Sequence, residues 1–309
     1  MGITVLGSYN VDLMSRSPHL PAPGETVLGG PFQLGPGGKG CNQATAAARL
    51  GCAVRFMTKV GNDSFRELAE KTFRSENFPI EYLLISDKGQ TGCALIVVDQ
   101  EGENSIVVAP GANMDYLQED MDAIEASVAG SSLLLLQLEI SMEANKKAIE
   151  VAQAYDIPVL LNPAPYRDFD KSLLKHVTYL TPNETEAESM TGINLRIESD
   201  FLEAAKVLYE MGASHVMITL GKKGCYLYSG GQAGELLPGF QVKAVDTAGA
   251  GDCFNGAFAA AILAGKSVSE AALQGNAAAA LSVTKVGTAP SMPNSTELQA
   301  FLEVIRGFQ

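Results

Sequence analysis

A chain of 309 residues with 46% hydrophobic and 18% charged side chains can bury a large core, so a disordered protein is excluded and one large domain with a small appendage is the default. With 22 basic residues against 35 acidic ones the net charge is −13, which argues against a nucleic-acid partner because phosphate backbones need a basic face. Five scattered cysteines (Cys41, Cys52, Cys93, Cys225, Cys253) with no C-x-x-C pair argue against a disulfide framework and against a zinc site.

The chain runs directly into the strand-like Ile3-Thr4-Val5-Leu6 without a basic leader, and no apolar run approaches the ~20 residues that span a bilayer. With the unpaired cysteines, this leads to the expectation of a cytoplasmic protein without a membrane partner. Strands are expected at 3–7, 54–60, 94–99, 105–109, 133–138, 158–161, 177–181, 216–220 and 225–228. Leu133-Leu134-Leu135-Leu136 and Val216-Met217-Ile218 are apolar on both sides, as strands covered on both faces are. Amphipathic helices fall between them, as at Ser141 to Tyr155 and at Asp200 to Met211, the latter stopped by Gly212. Such alternation means an α/β protein with a parallel sheet covered by helices, in a single domain over 1–309. Residues 11–36 and 91–109 break the rhythm and read as a small β-sheet, either a lid or an edge hairpin.

Ligands of doubly wound sheets bind beyond the carboxyl ends of the strands. Here those ends lead to Asn10 and Asp12, Glu139, Asn162, Asn183 and Gly221, and Val245 runs into Asp246. Any one of these is an ordinary turn residue; as a set on one rim they suggest a site. The strongest feature is Asp246-Thr247-Ala248-Gly249-Ala250-Gly251-Asp252 ahead of a helix from Cys253 to Ala264. Small residues let a ligand approach, the helix start leaves N–H groups for an anion, and Asp252 can be a general base or only a dipole complement.

The cluster Gly35-Pro36-Gly37-Gly38-Lys39-Gly40-Cys41-Asn42 precedes a helix over Gln43 to Leu50. It matches G-x-G-x-x-G formally, but Pro36 and the absence of a preceding core strand reject a dinucleotide loop, and Gly40 after Lys39 rejects a P-loop. What remains is a backbone-rich turn with Lys39 and Asn42 as donors, suited to sugar hydroxyls. Thr219-Leu220-Gly221-Lys222-Lys223-Gly224 is either a nucleotide-phosphate contact or a surface turn. Asn183 and Glu186 suffice as a capping box and could equally orient hydrated magnesium. His19, His176 and His215 lie in unrelated segments and Cys253 reads as a packing residue, so no nucleophile–histidine constellation is visible.

These residues resemble the PfkB-type carbohydrate kinases, and within them the branch acting on ribose, from Val5 to Pro290. The resemblance is carried by Gly7-Ser8-Tyr9-Asn10-Val11-Asp12, Pro23-Gly24-Glu25-Thr26, Gly37-Gly38-Lys39-Gly40-Cys41-Asn42-Gln43-Ala44, Gln137-Leu138-Glu139, Leu161-Asn162-Pro163-Ala164-Pro165, Thr181-Pro182-Asn183-Glu184-Thr185-Glu186, Ile218-Thr219-Leu220-Gly221 and the loop to Asp252. It implies a doubly wound, mainly parallel sheet flanked by helices, with a β-lid that covers the sugar and forms a homodimer contact. It implies ATP-dependent phosphorylation of the primary hydroxyl of a pentose, D-ribose first, with 2-deoxyribose, a ketose or a nucleoside as rivals and a catalytically silent sugar-binding protein as the rival class. Asn10, Asp12, the turn Gly38, Lys39, Gly40, Cys41 and Asn42, and Glu139 would hold the sugar. Asp252 would be the base, beside an anion hole from Gly249, Ala250 and Gly251. ATP would meet Asn183, Thr219, Leu220, Gly221, Lys222, Lys223, Gly224, Gly251, Asp252 and Asn276, with Asn183 and Glu186 near magnesium. Activating potassium would fall to Asp246, Ala248, Ser282, Lys285, Gly287 and Ser291, mostly through backbone carbonyls.

Overall fold

Apolar runs form strands and amphipathic runs form helices in near-strict alternation. The computed structural model describes residues 2–306; Met1 and residues 307–309 of the expected single domain lie outside the described residues. The strands are β1 (Ile3–Leu6), β2 (Asn10–Arg16), β3 (Phe32–Gly37), β4 (Val54–Gly61), β5 (Leu83–Ser86), β6 (Gly92–Val98), β7 (Asn104–Ala109), β8 (Leu133–Leu136), β9 (Val159–Leu161), β10 (Tyr179–Leu180), β11 (His215–Thr219), β12 (Gly224–Tyr228) and β13 (Glu235–Pro238). The helices are α1 (Lys39–Arg49), α2 (Arg66–Ser75), α3 (Asp120–Val128), α4 (Met142–Ala154), α5 (Glu184–Thr191), α6 (Glu198–Glu210), α7 (Ala250–Leu263), α8 (Val268–Ser282) and α9 (Ser295–Arg306).

The main sheet has the order β13-β12-β11-β10-β9-β8-β1-β4-β5, parallel from β11 to β5 with an antiparallel β12 and β13 at one edge. The four leucines of β8 show why an unbroken apolar run is needed. Leu134 and Leu136 join the layer that holds α3, α4, α5 and α6, while Leu133 and Leu135 join the opposite layer with α1, α7 and α8. A polar residue at any of these positions would be buried without a partner. From β1 the chain winds outward through β4 and β5, then crosses to β8 and winds the other way, so the switch in winding lies between β1 and β8.

A second sheet of order β3-β2-β6-β7 stands apart from the first, so residues 11–36 and 91–109 supply a separate layer rather than an edge hairpin. It is mixed: β2 pairs antiparallel with β3 but parallel with β6, and β6 pairs antiparallel with β7. Phe32, Leu34, Leu95, Ile106, Val107 and Val108 on it are all exposed. Two expectations need correction. The strand at 177–181 shortens to β10, because the Val177 N–H closes a turn onto Leu174 O and Pro182 has no N–H to continue the ladder. Val245 ends no strand; it is exposed in a loop, and its N–H bonds Val283 O at 2.7 Å. No helix among the described residues is long and apolar enough to cross a membrane.

Candidate active site

Helices α1 and α7 lie on the same face of the sheet, and a glycine sets how closely they cross. A Cβ on Gly256 would stand 2.6 Å from both Gln43 O and Ala46 Cβ, so only glycine permits the contact. That approach delivers Asn42 and Gln43 to Asp252. Asn42 Nδ2 donates to Asp252 Oδ2 and Gln43 Nε2 to Asp252 Oδ1, both at 2.9 Å. Asp252 is 5% exposed, yet both its oxygens are served.

The turn ahead of Asp252 stays open. Gly249 takes φ 76°, left-handed, and caps α7 without a side-chain bond. Among the described residues the Gly251 and Asp252 N–H groups have no acceptor, whereas Ala250 N–H makes a long bond of 3.3 Å to Thr247 O. Of the two residues expected to form an anion hole, Gly251 thus has the freer N–H. A Cβ on Gly251 would meet nothing within 4 Å, so the space over it is open rather than filled by packing, as an anion at a helix start needs.

On the β1 side, Asn10 and Asp12 begin β2. Asn113, in the turn after β7, clamps this entry with three bonds: Tyr9 N–H to its Oδ1 at 3.0 Å, and its Nδ2 to Tyr9 O at 3.0 Å and Asn10 Oδ1 at 2.8 Å. With its oxygen occupied, Asn10 is left to offer its NH₂ to a ligand. Asp12 lies flat against Gly37, where a Cβ would come within 2.4 Å of both carboxylate oxygens, and accepts a 3.0 Å bond from Thr288 Oγ1. Burial pushes the Asp12 carboxyl up to about 6; the Thr288 hydroxyl opposes this, and the charges of Glu139 and Asp252 add to it.

The glycine turn differs from expectation. Three of its N–H groups are spent inside the protein: Lys39 N–H bonds Glu139 Oε2 at 3.0 Å, Gly40 N–H bonds Ser8 Oγ at 3.3 Å and Cys41 N–H bonds Ser8 O at 3.0 Å. Cys41 and Gly40 are both buried, with their N–H groups already bonded within the protein. Gly38 (φ 89°) and Gly40 are required instead because the β1–β2 connection crosses them within 3 Å of where their Cβ atoms would be. Ser8 Oγ also donates to Glu139, so one hydroxyl fixes both turn and acid. The Lys39 ammonium faces Asp252, Glu139 and Glu186; burial acts to lower its pKa, but the three carboxylates outweigh that and hold it above its usual value. It thus faces the base rather than only the sugar residues.

Beyond Gly251 lies a cavity of about 500 Å³ between Thr219, Gly221, Lys222 and Gly224 on one side and Phe240, Val242, Ala244, Ala279 and Val283 on the other. Its mostly apolar walls suit a flat base, with Asn276 and Lys222 as polar groups. Asn276 Nδ2 is already bonded to Leu237 O and Pro238 O, so only its oxygen is available. Two of the expected nucleotide contacts do not line this cavity: Leu220 is 2% exposed in the core, and the Lys223 side chain turns toward Glu184 and over the Phe201 ring. Asn183 and Glu186 do form a capping box, each bonding the other's N–H at 2.8 Å. Burial raises the Glu186 pKa against the Asn183 N–H and Lys39, and its facing of Lys39 and Asp252 leaves it suited to hold water on a metal.

Three of the residues expected around potassium, Asp246, Ala248 and Gly287, are tied to one another. Asp246 Oδ1 accepts Ala248 N–H at 3.0 Å and Oδ2 accepts Gly287 N–H at 2.9 Å, binding the turn before α7 to the loop after α8. Arg49 braces that loop through Ala289 O, Pro290 O and Met292 O. Lys285 Nζ is taken by Glu297 at 2.6 Å, so only its carbonyl is left for an ion. The Ser282, Ser291 and backbone donors are all hard oxygens, which fit an alkali cation.

Sequence reasoning missed Ser8, Gln43, Asn113, Gln137 and Thr288, and the cavity wall at 239–244 and 279–283. Ser8, Gln43 and Gln137 did sit inside quoted motifs, which was the available signal; the others carry no local pattern.

The sequence profile described as pfkB family carbohydrate kinase matches residues 2–295. Ribokinase of Haemophilus influenzae is 42% identical over 301 residues, covering 97% of this chain and 98% of its own. Deoxyribokinase of Salmonella typhi is 36% identical over 305 residues, covering 98% and 99%. The solved structure of Arabidopsis thaliana ribokinase complexed with ribose and ATP superposes with a TM-score of 0.89 at 30% identity, covering 98% of each chain.

Proposed function

The chain belongs to the pfkB family of carbohydrate kinases, and on that premise we propose that it transfers the γ-phosphoryl group of ATP to the primary hydroxyl of D-ribose, giving D-ribose 5-phosphate and ADP. One observation carries the reading: a buried carboxylate, Asp252, follows Gly251, whose N–H has no acceptor among the described residues and which lines the apolar cavity, while Asp252 also lies within electrostatic reach of Asp12.

Ribose enters with its hydroxyls against Asn10, Asp12, Glu139 and Asn42, and ATP lays its base in the cavity with its phosphates over Gly251. Asp252 accepts the proton of the primary hydroxyl as that oxygen attacks the γ-phosphate in line and the bond to the β-phosphate oxygen breaks. Such transfers are loose, so Asp252 needs no unusual basicity, and the gain comes from positioning and charge. The Gly251 N–H and the Lys39 ammonium face the charge on the moving group. Magnesium on ATP, held through water by Asn183 and Glu186, would neutralise phosphate oxygens, and potassium at Asp246, Ala248, Ser282, Lys285, Gly287 and Ser291 would stiffen the turn that carries Gly251. The outer sheet acts as the lid, and its exposed apolar residues support a homodimer through that face.

The test is sugar-dependent ADP release across ribose, 2-deoxyribose, fructose and adenosine, with mass detection of the product. Ribose 5-phosphate as the preferred product upholds the reading, and preference for 2-deoxyribose or adenosine replaces the substrate. No sugar-stimulated release from any of them leaves a silent binding protein. Asp252→Asn is expected to lose about 10²–10⁴-fold in kcat with sugar binding retained; near-normal turnover removes it as the base.

A further inference from the structure

The amides that hold Asp252 are themselves held, and the order of donors and acceptors is forced. A carboxylate only accepts, so Gln43 must turn its Nε2 to Asp252 Oδ1 at 2.9 Å, with its second proton going to Asn162 Oδ1 at 3.0 Å. Gln43 Oε1 is thereby left as an acceptor, and Gln137 Nε2 fills it at 2.7 Å. On the other side Asn162 Nδ2 donates to Thr181 O at 3.0 Å, Thr181 Oγ1 donates to Asn255 Oδ1 at 2.6 Å, and Asn255 Nδ2 donates to Gly251 O at 2.8 Å. The chain starts on the side chain of Asp252 and returns to the carbonyl of the residue before it. Gln43, Gln137, Asn162, Thr181 and Asn255 are all 6% exposed or less.

Burying five polar side chains is costly unless every group is matched, and one here is not. Gln137 Oε1 is buried without a partner, a desolvation cost that an apolar side chain would avoid. For stability alone a leucine or methionine would serve better at this position. What Gln137 supplies is the fixed orientation of the Gln43 amide.

We propose that this buried amide ring is the positioning device of the catalytic centre, with Gln43 as its head: it sets which way the Asp252 carboxylate faces and holds the Gly251 turn in register with it. Gln43 touches neither sugar nor nucleotide. The inference rests on Asp252 being the base. It differs from a merely structural role, in which the ring only glues α1 and α7 to the strand ends, because positioning acts on turnover and not on binding.

The test uses the full-length enzyme with Gln43→Leu, Gln137→Met and the double variant, reading kcat and the KM for sugar and ATP beside thermal unfolding. Gln43→Leu is expected to lower kcat about 10- to 100-fold, the scale of a ~1 Å misplacement, with both KM values unchanged. Gln137→Met alone lowers kcat less, and in the Gln43→Leu background it lowers it no further, because the group it orients is gone. Multiplicative losses in the double variant, a rise in KM in place of the fall in kcat, or wild-type kcat in Gln43→Leu each overturn the proposal. If Gln43→Leu does not fold, Gln137→Met decides alone: unchanged kcat rejects the ring as a positioning device. Asp252→Asn separates the two readings. Full turnover there removes the base, whereas an inactive Asp252→Asn beside a wild-type Gln43→Leu removes only the positioning.

Discussion

Thr288 Oγ1 reaches Asp12 Oδ2 at 3.0 Å across 276 positions of the chain, so the last loop of the fold steadies a carboxylate on its second strand. Among the described residues that bond is the one donor on an acid whose burial raises it to about 6. In the unfolded chain the group titrates near ~3.9. Between those values the folded protein keeps the proton while the unfolded chain has lost it, so Asp12 lowers stability as pH rises from about 4 to about 6.

Sugar binding has the opposite sign, because hydroxyls donate to the ionised form. The KM for ribose is expected to climb as pH falls below about 6, and binding near pH 6 should release protons. Calorimetry in buffers of different ionisation enthalpy measures that release, and its absence would exclude Asp12 from the sugar site. Thr288→Val should move the transition to higher pH.

Asn113 fixes which end of the Asn10 amide the ligand meets. Asn113→Ala should raise the sugar KM about tenfold, equivalent to ~1.4 kcal/mol, with kcat little changed. Steady-state kinetics with varied sugar decides this; a collapse of kcat at constant KM would place Asn113 in the chemistry instead.

Two glycines of α7 should behave in opposite ways. Gly256→Val forces α1 away from α7 and is expected to cost about 1–3 kcal/mol of stability together with turnover. Gly251→Ala points into open space and replaces glycine in a helix, so the melting temperature should hold or rise while kcat falls. Melting curves beside kinetics check the pair, and a stable, active Gly251→Ala would show that nothing needs the space.

Alkali dependence tests the two turns joined by Asp246. Exchanging potassium chloride for choline chloride at constant ionic strength should lower kcat, and Asp246→Ala should abolish the difference. Equal rates of the unmodified enzyme in both salts would exclude the cation.

What could be read from the residues was what is local. Leu133 to Leu136 announced a strand covered on both faces, and the small-residue turn before Asp252 announced an open helix start, because both depend on neighbours in sequence. The glycines at 38 and 40 were recognised as special, and the structure adds a reason that no spacing carries: they make room for the crossing β1–β2 chain, while the Lys39 and Gly40 N–H groups serve Glu139 and Ser8. Thr288, Asn113 and Gln137 act only through partners about a hundred or more positions away, which no spacing encodes. The base-sized cavity is walled by ordinary apolar residues such as Phe240 and Val283, indistinguishable in sequence from core.

The strand that carries Asn10 and Asp12 belongs to the outer sheet, although it begins only a few residues after β1 leaves the main one. On the function proposed above, the fingers and the roof are one piece, and an acceptor alcohol gripped by Asn10 and Asp12 should draw its own cover over it. On that reading, ATP reaching the cleft before the sugar should meet no aligned acceptor. Thrift follows from the wiring: the molecule should hydrolyse little nucleotide while it waits for its sugar.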